Sequence, residues 1–450
     1  MSPEIVTIIA LVVIFAIATF LPINMGALAF VAAFIVGTLS VEMTTDEILG
    51  GFPAELVLTL IGVTYLFAIA QNNGTVDLLV RGAVKLVGGH VAAIPWIMFF
   101  VTALLTAIGA LSPAAVAIIA PIALTFAARH GISPLLMGMM VIHGAQGGGF
   151  SPISVYGVTV NTIVEDEGLP DASLQVFLGS LFFNLAIALV LFFVLGGRKL
   201  LGRKVESARL EHVEHAHGTV VRGHGAAPGP GVGGDSADDA DEHIHPEVPQ
   251  PVRFEQILTL IGLVVVAVLA LVFDLDIGFV AITVAVVLAL FSAQQHKGAV
   301  TQISWSTILL IAGVLTFVFV LQEAGTIDYV GDAVTGLGVP LLIALLLCYI
   351  GGVVSAFASS TAIIGVAISL AVPFLLAGDI GAVGVVVALS VASTIVDVSP
   401  FSTNGALVLA NAQDVDRDRF YKQILSYAGI VVAVGPLLAW LVFVVVPSWV

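Results

Sequence analysis

Residues 151–157 read Ser-Pro-Ile-Ser-Val-Tyr-Gly, and residues 399–405 read Ser-Pro-Phe-Ser-Thr-Asn-Gly. The two stretches agree at both serines, the proline and the glycine, and lie 248 residues apart. Proline removes a backbone donor and glycine permits non-helical angles, so each stretch breaks a helix. Both nevertheless sit inside long apolar runs. Backbone groups freed in hydrocarbon are costly unless they line a cavity or are buried in protein. A chain that carries the same polar break twice is therefore expected to use it.

The surroundings settle the class. The chain is 59% hydrophobic and only 10% charged, far below the quarter or so of charged residues in a soluble domain. Apolar runs long enough to cross a bilayer recur throughout. Simple spans are read at about 4–21, 25–41, 54–71, 172–197, 254–273, 277–294, 305–322 and 423–446, with two more complex regions at 91–162 and 339–411. The first run has no basic residue before it and no small-residue cleavage site after it, so it is read as a retained helix. Cys348 stands alone and cannot form an intrachain disulfide. The net charge of −16 argues against a nucleic-acid partner. The partner implied by composition is the lipid bilayer.

All fourteen Lys and Arg fall on one side of these spans. Arg81, Lys85 and Arg129 flank the first complex region. Arg198, Lys199, Arg203, Lys204, Arg209, Arg222 and Arg253 lie in or beside a hydrophilic stretch at 198–252. Lys297 follows the span at 277–294, and Arg417, Arg419 and Lys422 precede the last one. The opposite loops carry only acids, among them Glu42, Asp46, Glu47, Glu165, Asp166, Glu167 and Asp171. Positive charge stays cytoplasmic. The expectation is a multi-pass inner-membrane protein with both termini outside and residues 198–252 as a cytoplasmic linker.

The duplicated break has company. Ile5-Val-Thr7-Ile-Ile9 resembles Ile257-Leu-Thr259-Leu-Ile261, and Gln71-Asn-Asn-Gly74-Thr75 resembles Gln322-Glu-Ala-Gly325-Thr326, at offsets of 252 and 251. The offsets drift little and keep chain order, as in a duplicated unit. Each unit crosses an odd number of times, which turns the second copy upside down. The expected fold is an all-α polytopic membrane protein of two inverted-topology repeats, 1–197 and 253–450. Each has a re-entrant helical hairpin and a discontinuous transmembrane helix, a pattern found in secondary transporters.

Each unit holds two breaks. The first pair is centred on Ser112-Pro113 and on Gly147-Gly148 through Ser151-Pro152 and Ser154. The second is centred on Ser359-Ser360-Thr361 and on Asp397 through Ser399-Pro400, Ser402, Thr403 and Asn404. Helix N-termini offer partial positive charge and free N–H groups to an anion. Loop carbonyls and hydroxyls suit a hard cation such as sodium. Ser112, Pro113, Ser151, Pro152, Ser154, Ser360, Thr361, Ser399, Pro400, Ser402, Thr403 and Asn404 are thus the candidate substrate residues. Ser112, Gly147, Gly148, Ser359, Ser360 and Asp397 are the candidate sodium ligands. Asp397 and His143 are the candidates for proton coupling. The competing reading makes the breaks kinks or small-residue seams, Asp397 a cap and His143 a packing residue. No organic cofactor is expected. In the linker, His212, His215, His217, His224, His243 and His245 match no structural zinc spacing, and a solvated tether is the simpler reading.

These residues resemble the ion-transporter superfamily that includes divalent-anion:sodium symporters and bacterial malonate/dicarboxylate carriers of the MatC type. The run Leu21-Pro-Ile-Asn24-Met25-Gly26 with Phe30-Val-Ala-Ala-Phe looks like the MatC-type N-terminus. In the wider symporter family a Ser-Asn-Thr triplet marks each hairpin tip. Ser359-Ser360-Thr361 matches it with Ser for Asn, and Ser112-Pro113-Ala114 lacks both Asn and Thr. The resemblance implies uptake of a small dicarboxylate, malonate- or succinate-like, coupled to sodium or protons. It also implies a homodimer and an elevator-like movement of hairpins and broken helices. Alternatives are oxyanion efflux or cation exchange within the same superfamily, and metal sensing through the histidine linker. An enzyme is not expected, since the spans hold neither His-Glu-x-x-His nor paired carboxylates.

Overall fold

The computed structural model describes residues 2–21, 23–85, 90–203, 252–273, 275–291, 297–326, 329, 340–356, 360–376, 380–412 and 415–448. The histidine linker from 204 onward and Ser359 lie outside them, as does the side chain of Thr361.

The described residues form helices joined by short turns. The first half runs α1 (Pro3–Phe20), α2 (Met25–Leu39), α3 (Thr45–Gly50), α4 (Ala54–Asn72), α5 (Thr75–Lys85), α6 (Ala93–Ala107), α7 (Ser112–His130), α8 (Pro134–Gly148), α9 (Val155–Asp166) and α10 (Ser173–Val194). The second runs α11 (Phe254–Leu271), α12 (Ile277–Phe291), α13 (Trp305–Glu323), α14 (Pro340–Ser355), α15 (Ser360–Leu376), α16 (Ala382–Ile395), α17 (Thr403–Asn411) and α18 (Arg417–Trp440). Among the described residues, seven helical stretches are long and apolar enough to span a bilayer.

Local chemistry sets many of the boundaries. Asn24 caps α2 by accepting from Gly26 and Ala27 N–H. Thr44 and Glu47 close a capping box at α3. Ser133 caps α8 just before Pro134, where a missing N–H costs nothing. Gly131 ends α7 in the left-handed region, at φ 61°.

The sequence-based outline holds for the two complex regions and needs small revisions elsewhere. The complex regions are helical hairpins, α6–α7 and α14–α15, each followed by a helix in two pieces, α8–α9 and α16–α17. The amphipathic α5 and the short α3 have no counterpart in the expected spans, because their apolar faces are too brief to register as crossings. The first half also continues past 197. Gly197–Leu200 is a 3₁₀ turn, and Arg203 donates to His130 O (2.8 Å) while its own carbonyl accepts from Val91 N–H (3.1 Å).

The halves interlock through matched contacts. α2 packs on α13 and α12 packs on α4. At the first crossing a Cβ on Gly26 would strike the Leu309 carbonyl, and one on Gly313 the Gly26 carbonyl. At the second, Gly278 meets the Thr59 backbone and Gly62 the Gly278 carbonyl. Backbones this close need glycine on both sides, as helices in membranes often do. Polar pairs are matched as well. Thr7 Oγ1 lies 2.6 Å from Thr326 Oγ1, and Thr259 Oγ1 accepts from Asn73, whose Oδ1 in turn accepts from Thr75.

Candidate substrate and ion site

The first break folds around one hydroxyl. Ser154 caps α9 by accepting from Gly157 N–H, and its hydrogen is shared between the carbonyls of Gly149 (2.5 Å) and Ser151 (2.7 Å). Any Cβ at Gly157 would fall on the Ser151 carbonyl. The second break repeats this bond for bond. Ser402 accepts from Gly405 N–H and donates to the carbonyls of Asp397 (2.5 Å) and Ser399 (2.7 Å), and a Cβ at Gly405 would fall on the Ser399 carbonyl. The shared Ser-Pro-x-Ser-x-x-Gly pattern is thus the recipe for one turn. Its second serine builds the turn, and its glycine is needed for close approach.

Both hairpin tips are bonded to the second break. Ser112 opens α7, with Pro113 in its first turn. Ser112 Oγ accepts from Asn404 Nδ2 of α17 (2.8 Å), so the first hairpin touches the broken helix of the other half. Asn404 is 1% exposed, and its Oδ1 has no partner among the described residues. At the second hairpin, Ser355 donates to Ser360 (2.8 Å), and Ser360 donates to Asp397 Oδ1 (2.5 Å). Both Ser360 and Asp397 are buried. Asp397 thus has a fixed donor, and Asn404 retains a buried polar atom with no partner among the described residues.

The remaining predicted residues divide by surroundings. Ser151 is buried beside Pro152, and the Ser399 Oγ accepts from Phe401 N–H (3.2 Å) with Pro400 buried next to it. Thr403 is exposed. Gly147 and Gly148 sit in the last turn of α8. Gly148 faces the Ala103 carbonyl of α6, and its own carbonyl accepts from Ser151 N–H.

His143 is tied at both nitrogens. Asn184 Nδ2 donates to Ser180 O (2.9 Å), which leaves Asn184 Oδ1 facing His143 Nδ1 at 2.8 Å. An amide oxygen only accepts, so Nδ1 carries the proton and Nε2 accepts from the Tyr427 hydroxyl (2.6 Å). This arrangement joins α8, α10 and α18 behind the breaks.

Gln146 was not among the candidates, yet it lies at the centre of the bundle. Its Nε2 donates to the Thr394 carbonyl of α16 (2.9 Å), and its Oε1 is buried without a partner among the described residues. Gln146 and Thr394 are separated by the 248-residue offset of the breaks, so each occupies its partner's matched position. A lone amide in an apolar run was the available signal. Sequence also fixes the charge of the region, since no Lys or Arg occurs between 130 and 197 or between 298 and 416. An anion here would be held by helix ends, hydroxyls, amides and bound cations.

Residues 1–149 match the family described as the N-terminus of the dicarboxylate carrier protein MatC. No curated protein sequence matches the chain. Among solved structures, the YdaH transporter of Alcanivorax borkumensis, reported to have an unusual topology, is similar with a TM-score of 0.57 at 13% identity, covering 98% of both chains. At that identity the likeness establishes the fold. The MatC resemblance read from the N-terminal run is therefore found over the first third of the chain, and the transporter fold over nearly all of it. Both likenesses are to transport proteins rather than enzymes.

Proposed function

We propose that this protein is a secondary active transporter importing a small dicarboxylate, malonate- or succinate-like, in symport with sodium or protons. The observation that carries the proposal is that both hairpin tips are bonded to the second broken helix. Asn404 of one half holds Ser112 of the other, Ser360 holds Asp397, and the Asn404 amide oxygen is buried with no partner among the described residues. Buried polar atoms without partners are rare in folded proteins and call for a ligand, an ion or a water.

The matched contacts support reading the halves as inverted repeats, with the site where they meet. Ser112, Ser360 and Asn404, with the helix ends they stand on, would face the carboxylates. Asp397 with Ser360 would hold the cation or carry the proton. The matched crossings of α2 with α13 and of α4 with α12 suit a scaffold, through which a second copy would associate as a homodimer. The hairpins and broken helices would move against that scaffold like an elevator.

Uptake of radiolabelled malonate and succinate into proteoliposomes tests this, with sodium and pH gradients imposed separately. Saturable, gradient-driven uptake is expected. Ser360→Ala and Asn404→Ala should each lower it by about tenfold or more, the scale of losing a hydrogen bond to a charged group. No uptake of either acid by folded protein would overturn the substrate class. Proton-driven uptake unaffected by sodium would point instead to Asp397 or His143 as the proton carrier.

A further inference from the structure

Matched elements of the two halves have different surroundings. α9 is buried from Val155 through Val160 and packs on α4 and α15. Its counterpart α17 packs on α7 and α8 and leaves Thr403, Ala406 and Ala410 exposed. On the second hairpin, α15 packs on α13, and Gly365 faces Leu315 of α13 and Ile163 of α9. The matched position on the first hairpin, 248 residues earlier, is Ala117, which is exposed. Between the start of α7 and the C-terminal half of α4 lies a cavity of about 50 Å³, walled by Thr64, Phe67, Gln71, Gly109 and Leu111.

The duplicated glutamines show the same asymmetry. Gln322, at the end of α13, donates to Glu167 Oε1 just beyond α9 (2.6 Å). Its counterpart Gln71, at the end of α4, is exposed and lines the cavity. One end of the seam between scaffold helices and moving elements is therefore closed, and the other is open. The open end belongs to the first hairpin, whose base is bonded to Arg203 in the basic run 198–204 that begins the linker. Charge asymmetry makes that side cytoplasmic.

We infer that the chain stands here in an inward-open arrangement, sealed outside by α9 and α15 against α4 and α13, and that Gln322–Glu167 is the latch of that outer seal. The inference rests on the inverted-repeat reading proposed above. The latch joins the scaffold helix α13 to the moving helix α9, so its release is required for the outer side to open. In the opposite arrangement, α7 and α17 would close on the C-terminal half of α4 and the start of α13.

Variants of the full chain that each add one cysteine test this in sealed membrane vesicles of both orientations, with a membrane-impermeant maleimide. The native Cys348 is buried and serves as an unreactive marker of folded protein. Ala117→Cys and Ala406→Cys should label from the cytoplasmic face at least about tenfold faster than their counterparts Gly365→Cys and Val158→Cys label from outside. Adding Gln322→Ala or Glu167→Ala to Val158→Cys should speed its outside labelling about fivefold or more, while Gln71→Ala leaves it unchanged. Equal labelling of counterparts, or a lipid- or subunit-covered Ala117→Cys and Ala406→Cys that label from neither side, would overturn the inward-open assignment. Unchanged outside labelling in both latch variants would overturn the latch. No substrate enters this assay. Sided labelling without carboxylate uptake would retain the gate and discard the substrate, and uptake without sided labelling would do the reverse.

Discussion

At the scale of single residues, the two breaks separate residues that build a turn from residues free to act. Ser154 and Ser402 each satisfy two carbonyls and one N–H. Their replacement by alanine removes a helix cap, a loss of about 1–2 kcal/mol. Gly157→Ala and Gly405→Ala act differently, because the new methyl meets a backbone carbonyl that the turn itself fixes. Forced repacking of this kind costs about 1–3 kcal/mol, and here the backbone must shift as well. Thermal unfolding in detergent should therefore rank both glycine variants below both serine variants, with matched members of each pair alike. A large difference between Ser154→Ala and Ser402→Ala would show that the two turns are not equivalent. The turns were legible in sequence because their bonds are local, spanning at most five residues. The Asn404–Ser112 bond was not, since its partners are 292 residues apart and nothing in either motif specifies the other.

Between elements, much of the legible pattern was periodicity and charge, and the illegible part was which helix meets which. The glycines at 26, 62, 278 and 313 are ordinary in an apolar sequence, and only the crossings show that they let α2 approach α13 and α4 approach α12. The seam at Glu167 belongs to this scale, and it has a pH dependence. Burial pushes Glu167 above the usual carboxylate range, helped by the neighbouring Asp166 and opposed by the Gln322 bond. The closed seam therefore binds a proton more tightly than the open one. The resulting stabilisation of closure is fully present below the ordinary carboxylate pKa, and it is lost as pH rises through the raised value. Outside labelling of Val158→Cys should accordingly be slowest at acid pH and quicken as Glu167 ionises. Thiol reactivity also rises with pH, so the quantity to follow is the ratio to the same variant carrying Glu167→Gln, which keeps a hydrogen-bond acceptor but cannot ionise. A ratio that stays flat across the carboxylate range would remove Glu167 from the closure equilibrium.

For the whole molecule, orientation decides what the asymmetry means, because an inward-open and an outward-open chain differ only by which face meets the cytoplasm. Every basic residue whose backbone is described lies in a turn, near a helix end or in the short α5, on the side assigned to the cytoplasm. Arg203 is fastened to the base of the first hairpin there, while Glu167 and Gln322 meet on the acidic side. Lys and Arg near the ends of spans set topology, and acids contribute little. The prediction is that a reporter active only outside the cytoplasm will be active when fused after Gly168, between α9 and α10. It should be silent when fused after Arg203, and the complementary cytoplasmic reporter should give the inverse pattern. The two fusion points flank α10, a single 22-residue helix that can cross only once, so opposite signals are required of any correct topology. Their polarity is what charge predicts. If the fusion after Arg203 were the external one, the matched halves and their latch would remain, but the cavity beside Gln71 would open outward and the Gln322–Glu167 seam would close the cytoplasmic side.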